Sequence, residues 1–210
     1  MKRTGFDTMS PWYYPFYISI HPKDGFQELR ANKKSSVSVT VVIVLLWLFS
    51  EVFYRSATSY DMNNFLQNQL SIFRTAMVTV LMYVIVCVSN WCFCTLMEGK
   101  GRMIDICTVA AYALLPYTIL RILTTVFSWV LAGDEQIFLT YTMSVVTIWC
   151  LIIAFIGLAE IHEYTYSKTF WSVILTIVGL IIILFIVLML LTLFQQVYMF
   201  MRTVIMELIY

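Results

Sequence analysis

The chain has 210 residues, of which 61% are hydrophobic and 12% are charged, and its formal net charge is +1. Soluble globular domains are about 45–50% apolar and about 25% charged, so this chain has too little polar surface to fold as a ball in water. A disordered chain, a disulfide-rich secreted module and a nucleic-acid-binding domain are also excluded, the last because no basic field is present to hold a phosphate backbone. The composition therefore predicts a protein of the lipid bilayer.

Five uninterrupted apolar runs are long enough to cross a membrane, since a hydrocarbon core of about 30 Å takes roughly 20 residues of α-helix. The runs lie at residues 37–54, 75–97, 108–132, 137–159 and 172–193. None alternates like a barrel strand, and a helix satisfies its backbone hydrogen bonds internally, as the bilayer requires. We expect an all-α, polytopic helical bundle in which residues 37–210 form a five-span membrane domain behind an N-terminal segment, residues 1–36.

The distribution of Lys and Arg predicts the orientation of this bundle, because these residues are enriched in cytoplasmic loops. Most of them lie in the N-terminal segment and in the loops after the second and fourth spans. They are Lys2, Arg3, Lys23, Arg30, Lys33, Lys34, Lys100, Arg102 and Lys168. The N-terminus is therefore expected in the cytoplasm and the C-terminus outside. No small-residue cleavage site follows the first run, so we expect it to be retained as a span.

The N-terminal segment concentrates aromatic rings at residues 11–20, and such rings settle at the depth of lipid headgroups. Because the stretch contains Pro11 and Pro15, a regular helix is not expected there. After Pro22, a short helix is expected to lie flat on the membrane, with Phe26 and Leu29 turned toward lipid. Lys33 and Lys34 would face anionic headgroups. We interpret the segment as an anchor that orients the first span, with a docking site for a partner as the alternative.

Arg121 is the most costly residue of the predicted bundle, because a charge inside the membrane must be paired or hydrated. We place it near the middle of the third span, facing the bundle interior. Carbonyls or hydroxyls such as those of Thr124 and Thr125 are expected to satisfy it, and a substrate or proton site is the alternative. Glu51 is the other ionisable residue inside a span, and Arg55 lies one turn beyond it as a local partner.

The loop between the fourth and fifth spans contains Glu160, His162 and Glu163. We expect a hydrated helix end with interfacial hydrogen bonds there. The alternative is a metal site of mixed oxygen and nitrogen ligands, completed by a residue such as His21 from a neighbouring cytoplasmic segment.

The loop after the second span, residues 98–102, includes Glu98 and Lys100. It lacks the spacing of a phosphate-binding loop, and we interpret it as a tight turn whose glycines admit positive φ. The five cysteines are expected to be reduced packing residues. Because protease, nucleophile-elbow and nucleotide-binding motifs are missing, the sequence predicts no enzyme, no catalytic residue and no cofactor.

Four short motifs stand in order along the chain. They are residues 21–26 (HPKDGF), 98–101 (EGKG), 111–117 (AYALLPY) and 157–164 (GLAEIHEY). Their order and spacing, over roughly residues 12–208, resemble the Yip domain family of proteins that interact with Ypt/Rab GTPases, and particularly its bacterial branch.

The resemblance implies a five-span membrane domain with a cytoplasmic N-terminus. In eukaryotic members it implies Rab binding and vesicle trafficking through protein contacts. Those members carry a long cytosolic extension where this chain has about 36 residues, which counts against binding of a Rab-type GTPase. The bacterial branch would place the chain in the bacterial cytoplasmic membrane.

We therefore expect a non-enzymatic integral membrane scaffold or accessory subunit that contacts another membrane protein or a second copy of itself. The alternative is a small transporter or channel for a proton, metal ion or small solute. On its path would lie Arg121 and a helix kink at Pro116, and its mouth would be formed by Glu160, His162 and Glu163. A third hypothesis, an intramembrane metalloenzyme, would require His162 to bind a metal.

Overall fold

The computed structural model describes residues 11–32, 36–58, 72–131 and 135–209. These ranges contain two short helices followed by five long ones, all of them α-helices. They are α1 (Tyr14–Ile20), α2 (Pro22–Asn32), α3 (Val37–Ala57), α4 (Ile72–Leu96), α5 (Met103–Phe127), α6 (Gln136–His162) and α7 (Tyr166–Ile209). The five long helices are each long and apolar enough to cross a membrane. The predicted all-α, five-span helical class is confirmed.

Each predicted span coincides with one long helix, but α5 begins and ends about five residues earlier than expected. The backbone N–H of Arg102 donates to Oδ2 of Asp105 at 3.2 Å, and this contact caps the first turn at Met103. Arg121 therefore lies about 9 Å from the end of α5 at Phe127, given a rise of about 1.5 Å per residue. Arg121 thus lies midway between the centre of α5 and its end, unlike the placement expected from the apolar run.

The bundle is organised around α5, which packs against α3 on one side and α6 on the other, while α4 and α7 pair with each other. The α1–α2 hairpin covers one end of the bundle, with α1 on α5 and α2 on α6. The main buried cluster joins these elements. Its members include Ile18, Phe26, Leu29, Val109, Tyr112 and Ile153. The core thus lies between the N-terminal hairpin and the middle of α5 and α6.

The N-terminal helices differ from two expectations, one on the conformation of residues 14–20 and one on the surroundings of Phe26 and Leu29. Residues 14–20 are helical because Pro15 stands in the first turn, where a missing N–H breaks no helical hydrogen bond. Phe26 and Leu29 do not face lipid; they are 0% and 1% exposed. Gly157 on α6 lets the Phe26 ring approach, since a Cβ there would lie 2.8 Å from it. The hairpin therefore packs onto protein. Lys33 and Lys34 lie outside the described residues.

The contact between α4 and α7 explains the polar residues inside two of the spans. Ser89 donates to the carbonyl of Thr176 at 2.7 Å, and Nδ2 of Asn90 donates to the Thr176 hydroxyl at 3.0 Å. Small and hydroxyl side chains form the buried stripe of α7, namely Thr169, Ser172, Thr176 and Gly179. Such residues let two helices approach closely and hydrogen-bond within lipid.

Helix α7 is much longer than the other spans, with 44 residues. At about 1.5 Å per residue it measures about 66 Å, roughly twice the thickness of a hydrocarbon core. All side chains from residue 188 to residue 203 are exposed. The predicted fifth span, 172–193, is therefore the middle of a helix that continues well beyond the bundle.

Candidate functional site

Polar residues, some marked by the sequence and some not, gather in two groups at the two ends of the bundle. We call the first group the arginine cluster, formed by Glu51, Tyr54, Tyr117 and Arg121. We call the second group the loop cluster, formed by Arg30, Lys100, His162, Glu163 and Tyr164. Asp105, at the loop-cluster end of α5, is about 24 Å from Arg121 along the helix axis. The two clusters are therefore separate sites.

In the arginine cluster, Arg121 on α5 pairs with Glu51 on α3. Nη2 of Arg121 lies 3.7 Å from Oε2 of Glu51, and the two side chains are 18% and 16% exposed. Tyr117, one turn earlier on α5, donates its hydroxyl to Oε1 of Glu51 at 2.9 Å. The carboxylate is thus held by two groups of the same helix, which links α3 to α5 within the membrane.

Aromatic rings complete the surroundings of the guanidinium. Its carbon lies 3.5 Å from the centroid of the Tyr54 ring and 5.7 Å from that of Tyr117, and a cation over an aromatic face is attracted by the ring quadrupole. Thr124 and Thr125 donate instead to the backbone carbonyl of Arg121, at 3.0 and 2.8 Å. Helical hydroxyls commonly bond one turn back, so the expectation that they satisfy the guanidinium was wrong.

A cavity of about 280 Å³ opens beside Arg121, between α3, α5 and α6. Hydroxyl and amide groups make up much of its lining, including those of Tyr54, Thr58, Tyr117, Thr124, Ser128, Gln136, Thr140, Ser144 and Thr147. The next turns toward the loop cluster carry buried apolar side chains, among them Leu115 and Ile153, which are 4% and 0% exposed. The cavity is therefore a polar pocket at one end of the bundle.

In the loop cluster, the carboxylate of Glu163 joins three separate segments. It accepts a hydrogen bond from Nη2 of Arg30 on α2 and one from Nζ of Lys100, in the loop after α4, at 2.6 Å. Arg30 also donates through Nη1 to the carbonyl of Glu160 at 3.0 Å. Glu163 follows the last residue of α6 with a left-handed φ of 56°. One carboxylate therefore ties α2 to both loops.

His162 lies beneath this ion network and is 2% exposed. Its Nδ1 accepts a hydrogen bond from the backbone N–H of Gly101 at 3.3 Å, and its ring stacks on Tyr164 with centroids 5.2 Å apart. The hydroxyl of Tyr164 donates to the carbonyl of Cys94 at 3.1 Å. The imidazole thus packs the two loops against each other.

The turn after α4 is present, but its glycines have a different role from the one expected. Glu98 takes the positive φ, 60°, and no described glycine does. Gly99 is required by close packing, because a Cβ there would lie 2.5 Å from Nδ1 of His162 and 2.5 Å from the Tyr164 hydroxyl. This turn therefore needs a glycine because there is no room for a side chain, and not because of its backbone conformation.

The geometry lends no support to the metal hypothesis. His162 is turned into the protein, Glu163 is bonded to two cations, and the His21 ring stacks on Tyr17 with centroids 5.1 Å apart. Across the described ranges, no three His, Cys, Asp or Glu side chains come together as a metal-binding group.

Glu163 makes the loop cluster sensitive to acid. The hydrogen bond from Lys100, together with the nearby charge of Arg30, lowers the pKa of Glu163 from its usual range. A lowered pKa stabilises the fold above the usual glutamate range, and this contribution is lost as the pH falls through the lowered value. We expect the melting temperature in detergent to drop more for the unaltered chain than for Glu163→Gln when the pH is reduced from 7 to about 3.

Glu207, on the exposed far end of α7, provides the control for this measurement. The Glu207→Gln variant should show the same pH dependence as the unaltered chain. Equal acid sensitivity in the unaltered chain and in Glu163→Gln would contradict the assignment to Glu163.

Four contributors to the two clusters were missed in the sequence: Arg30, Tyr54, Tyr117 and Tyr164. A local signal existed for the two tyrosines of the arginine cluster. Tyr54 follows Glu51 by three residues and Tyr117 precedes Arg121 by four, and both spacings place the two side chains on one helix face. Nothing local connects Arg30 to Glu163, because 133 positions separate them.

Comparison with protein-family models matches residues 16–202 to the Yip1 domain. The matched range runs from α1 into the far part of α7 and contains both clusters. No curated protein and no solved structure matches the chain.

Proposed function

The chain belongs to the Yip1 domain family of membrane proteins, and from this premise we propose that it is a non-enzymatic membrane scaffold or accessory subunit that contacts another membrane protein. The observation that supports this function is the bonding of Glu163 to both Arg30 and Lys100. These contacts unite α2, the loop at residues 97–102 and the loop at residues 163–165 into one surface, which we call the loop platform.

The loop platform exposes charged side chains, and its loops are held in place by contacts within the protein. The side chains of Arg30, Lys100 and Arg102 are 42%, 69% and 59% exposed, while His162 is buried beneath them. A partner that binds such a surface does not have to order the loops first, which lowers the entropic cost of association. The imidazole of His162 and the carboxylate of Glu163, which could act in catalysis, instead hold the loops of the platform together. This favours a role in protein contact over catalysis.

We further propose that the loop platform faces the cytoplasm. Lys and Arg residues are concentrated on this side of the spans, as in cytoplasmic loops generally. With five spans, the far end of α7 would then lie on the opposite side of the membrane.

Affinity purification of the tagged full-length chain in mild detergent tests the platform. A photo-crosslinking residue in place of Arg102 should capture a membrane protein, and Lys100→Glu should reduce its recovery about tenfold, because reversed charge opposes the complementary surface. Arg202→Glu makes the same charge change on the exposed far end of α7 and should leave recovery unchanged. Recovery of no protein besides the chain itself, or equal losses in the two variants, would refute the proposal.

A second candidate function, a small transporter or channel, is favoured by the polar cavity beside Arg121. In this hypothesis the hydroxyl-lined pocket receives a proton, ion or small solute, and Arg121 with Glu51 controls its passage. Solute flux into reconstituted vesicles that does not exceed flux into empty vesicles would eliminate this function.

A further inference from the structure

A second cavity, of about 270 Å³, lies between α2 and the start of α5. Its polar lining consists of Arg30, Lys100, Arg102 and Asp105, and its apolar lining includes Leu29 and Ile161. Neither the scaffold function nor the transporter function requires a ligand here.

Three of the residues that line this cavity are cations and one, Asp105, is a carboxylate. Nε of Arg102 lies 3.0 Å from Oδ2 of Asp105, and Arg30 and Lys100 share the carboxylate of Glu163. Three cations thus face two carboxylates. An ammonium has three donor hydrogens and a guanidinium has five, so these pairings use only part of the donor capacity. The lining can still hold an anion with several oxygens.

The cavity also lies at a particular depth. Arg102 directly precedes the first residue of α5, and Ile161 is next to the last residue of α6. Both residues thus lie at the ends of helices that are candidate membrane spans, which places the cavity at one end of the bundle. Leu29 and Ile161 are 1% and 3% exposed, and they offer an apolar wall on the core side of the cations.

We propose that this cavity binds a phosphate group, carried by an anionic phospholipid of the surrounding leaflet. Basic pockets at the cytoplasmic ends of membrane helices suit such headgroups. Arg30, Lys100 and Arg102 would donate to the phosphate oxygens, and guanidinium groups can do so with two parallel hydrogen bonds. The apolar wall would contact the part of the lipid next to the phosphate. A soluble phosphate shares this chemistry, but it would not use the wall.

Native mass spectrometry of the full-length chain, titrated with phosphatidylglycerol or phosphatidylcholine in detergent, tests the site. We expect retention of phosphatidylglycerol, and about tenfold weaker retention by the double variant Lys100→Gln/Arg102→Gln. Lys23→Gln removes one charge from an exposed position of α2 outside the cavity and should retain the lipid as the unaltered chain does. The charge-preserving variant Lys100→Arg/Arg102→Lys should stay within about twofold of the unaltered chain, which guards against a mere loss of folding.

Inorganic phosphate forms the second arm of the experiment. If it fails to displace phosphatidylglycerol, the lipid is the source of the phosphate. If it binds and competes, with the same sensitivity to Lys100→Gln/Arg102→Gln, the site is confirmed with a soluble ligand. Equal retention of the two lipids, or an equal loss in Lys23→Gln, would overturn the proposal.

Discussion

Replacement of Arg121 by leucine is expected to lower the free energy of unfolding by about 3 kcal/mol, because removal of one partner strands the other as a buried charge. Glu51 would keep the hydrogen bond from Tyr117 but lose its counter-ion. The figure is at the low end for broken buried pairs, since the two side chains retain 18% and 16% exposure. Unfolding of the purified chain in detergent micelles, followed by circular dichroism, measures the change.

The double variant Glu51→Leu/Arg121→Leu distinguishes the stability contributed by the ion pair from that contributed by the surrounding contacts. Apolar replacement of a whole buried pair is often nearly neutral, so the double variant should recover most of the stability lost in Arg121→Leu. Arg202→Leu, on the exposed far end of α7, is the control and should change stability by less than about 0.5 kcal/mol. If the double variant loses the sum of the two single losses, Glu51 and Arg121 are not energetically coupled.

Replacement of Gly179 by leucine is expected to cost about 2 kcal/mol, because it inserts a side chain where two helices are in contact. A Cβ at this position would lie 2.0 Å from Cε2 of Phe93 and 2.7 Å from the hydroxyl of Ser89. The added volume forces α4 away from α7 and lengthens the hydrogen bonds to Thr176. The same unfolding measurement reports the loss, and Gly179→Ala should fall between the unaltered chain and the leucine variant.

The neighbouring residue provides a matched control for this substitution. Val178 is 44% exposed, and Val178→Leu adds a methylene on the lipid side of α7. Its effect should remain below about 0.5 kcal/mol. Equal effects at the two positions would show that the contact at Gly179 does not hold α4 and α7 together.

The long helices were predictable because the bilayer leaves the backbone no other partner than itself. Apolar runs of sufficient length therefore became α3 to α7. The short N-terminal helices were harder. Pro15 is compatible with a helix only in the first turn, and the sequence does not say where that turn begins. Phe26 and Leu29 were expected in lipid, since an apolar stripe has the same appearance whether it faces lipid or a protein core.

The arginine cluster also shows which features follow from the sequence and which depend on helix packing. The high cost of Arg121 in hydrocarbon predicted a partner without identifying it. Glu51 stands 70 positions earlier, and the two meet because α3 and α5 pack with those faces together. In the loop cluster, hydrogen bonds were expected at the end of α6 without a named partner, and Glu163 there binds Arg30, which the α1–α2 hairpin brings to it.

The sequence by itself determined the solvent, the helical class and the number of spans, because burial in lipid depends on composition and on the length of each run. Only the tertiary structure decided which charges are paired, which glycines are required and which apolar faces are covered by protein. These outcomes depend on the relative rotation and depth of helices that are distant in sequence. Packing of whole helix faces sets that rotation, so the partners of Arg121 and Glu163 are known only once the bundle has formed.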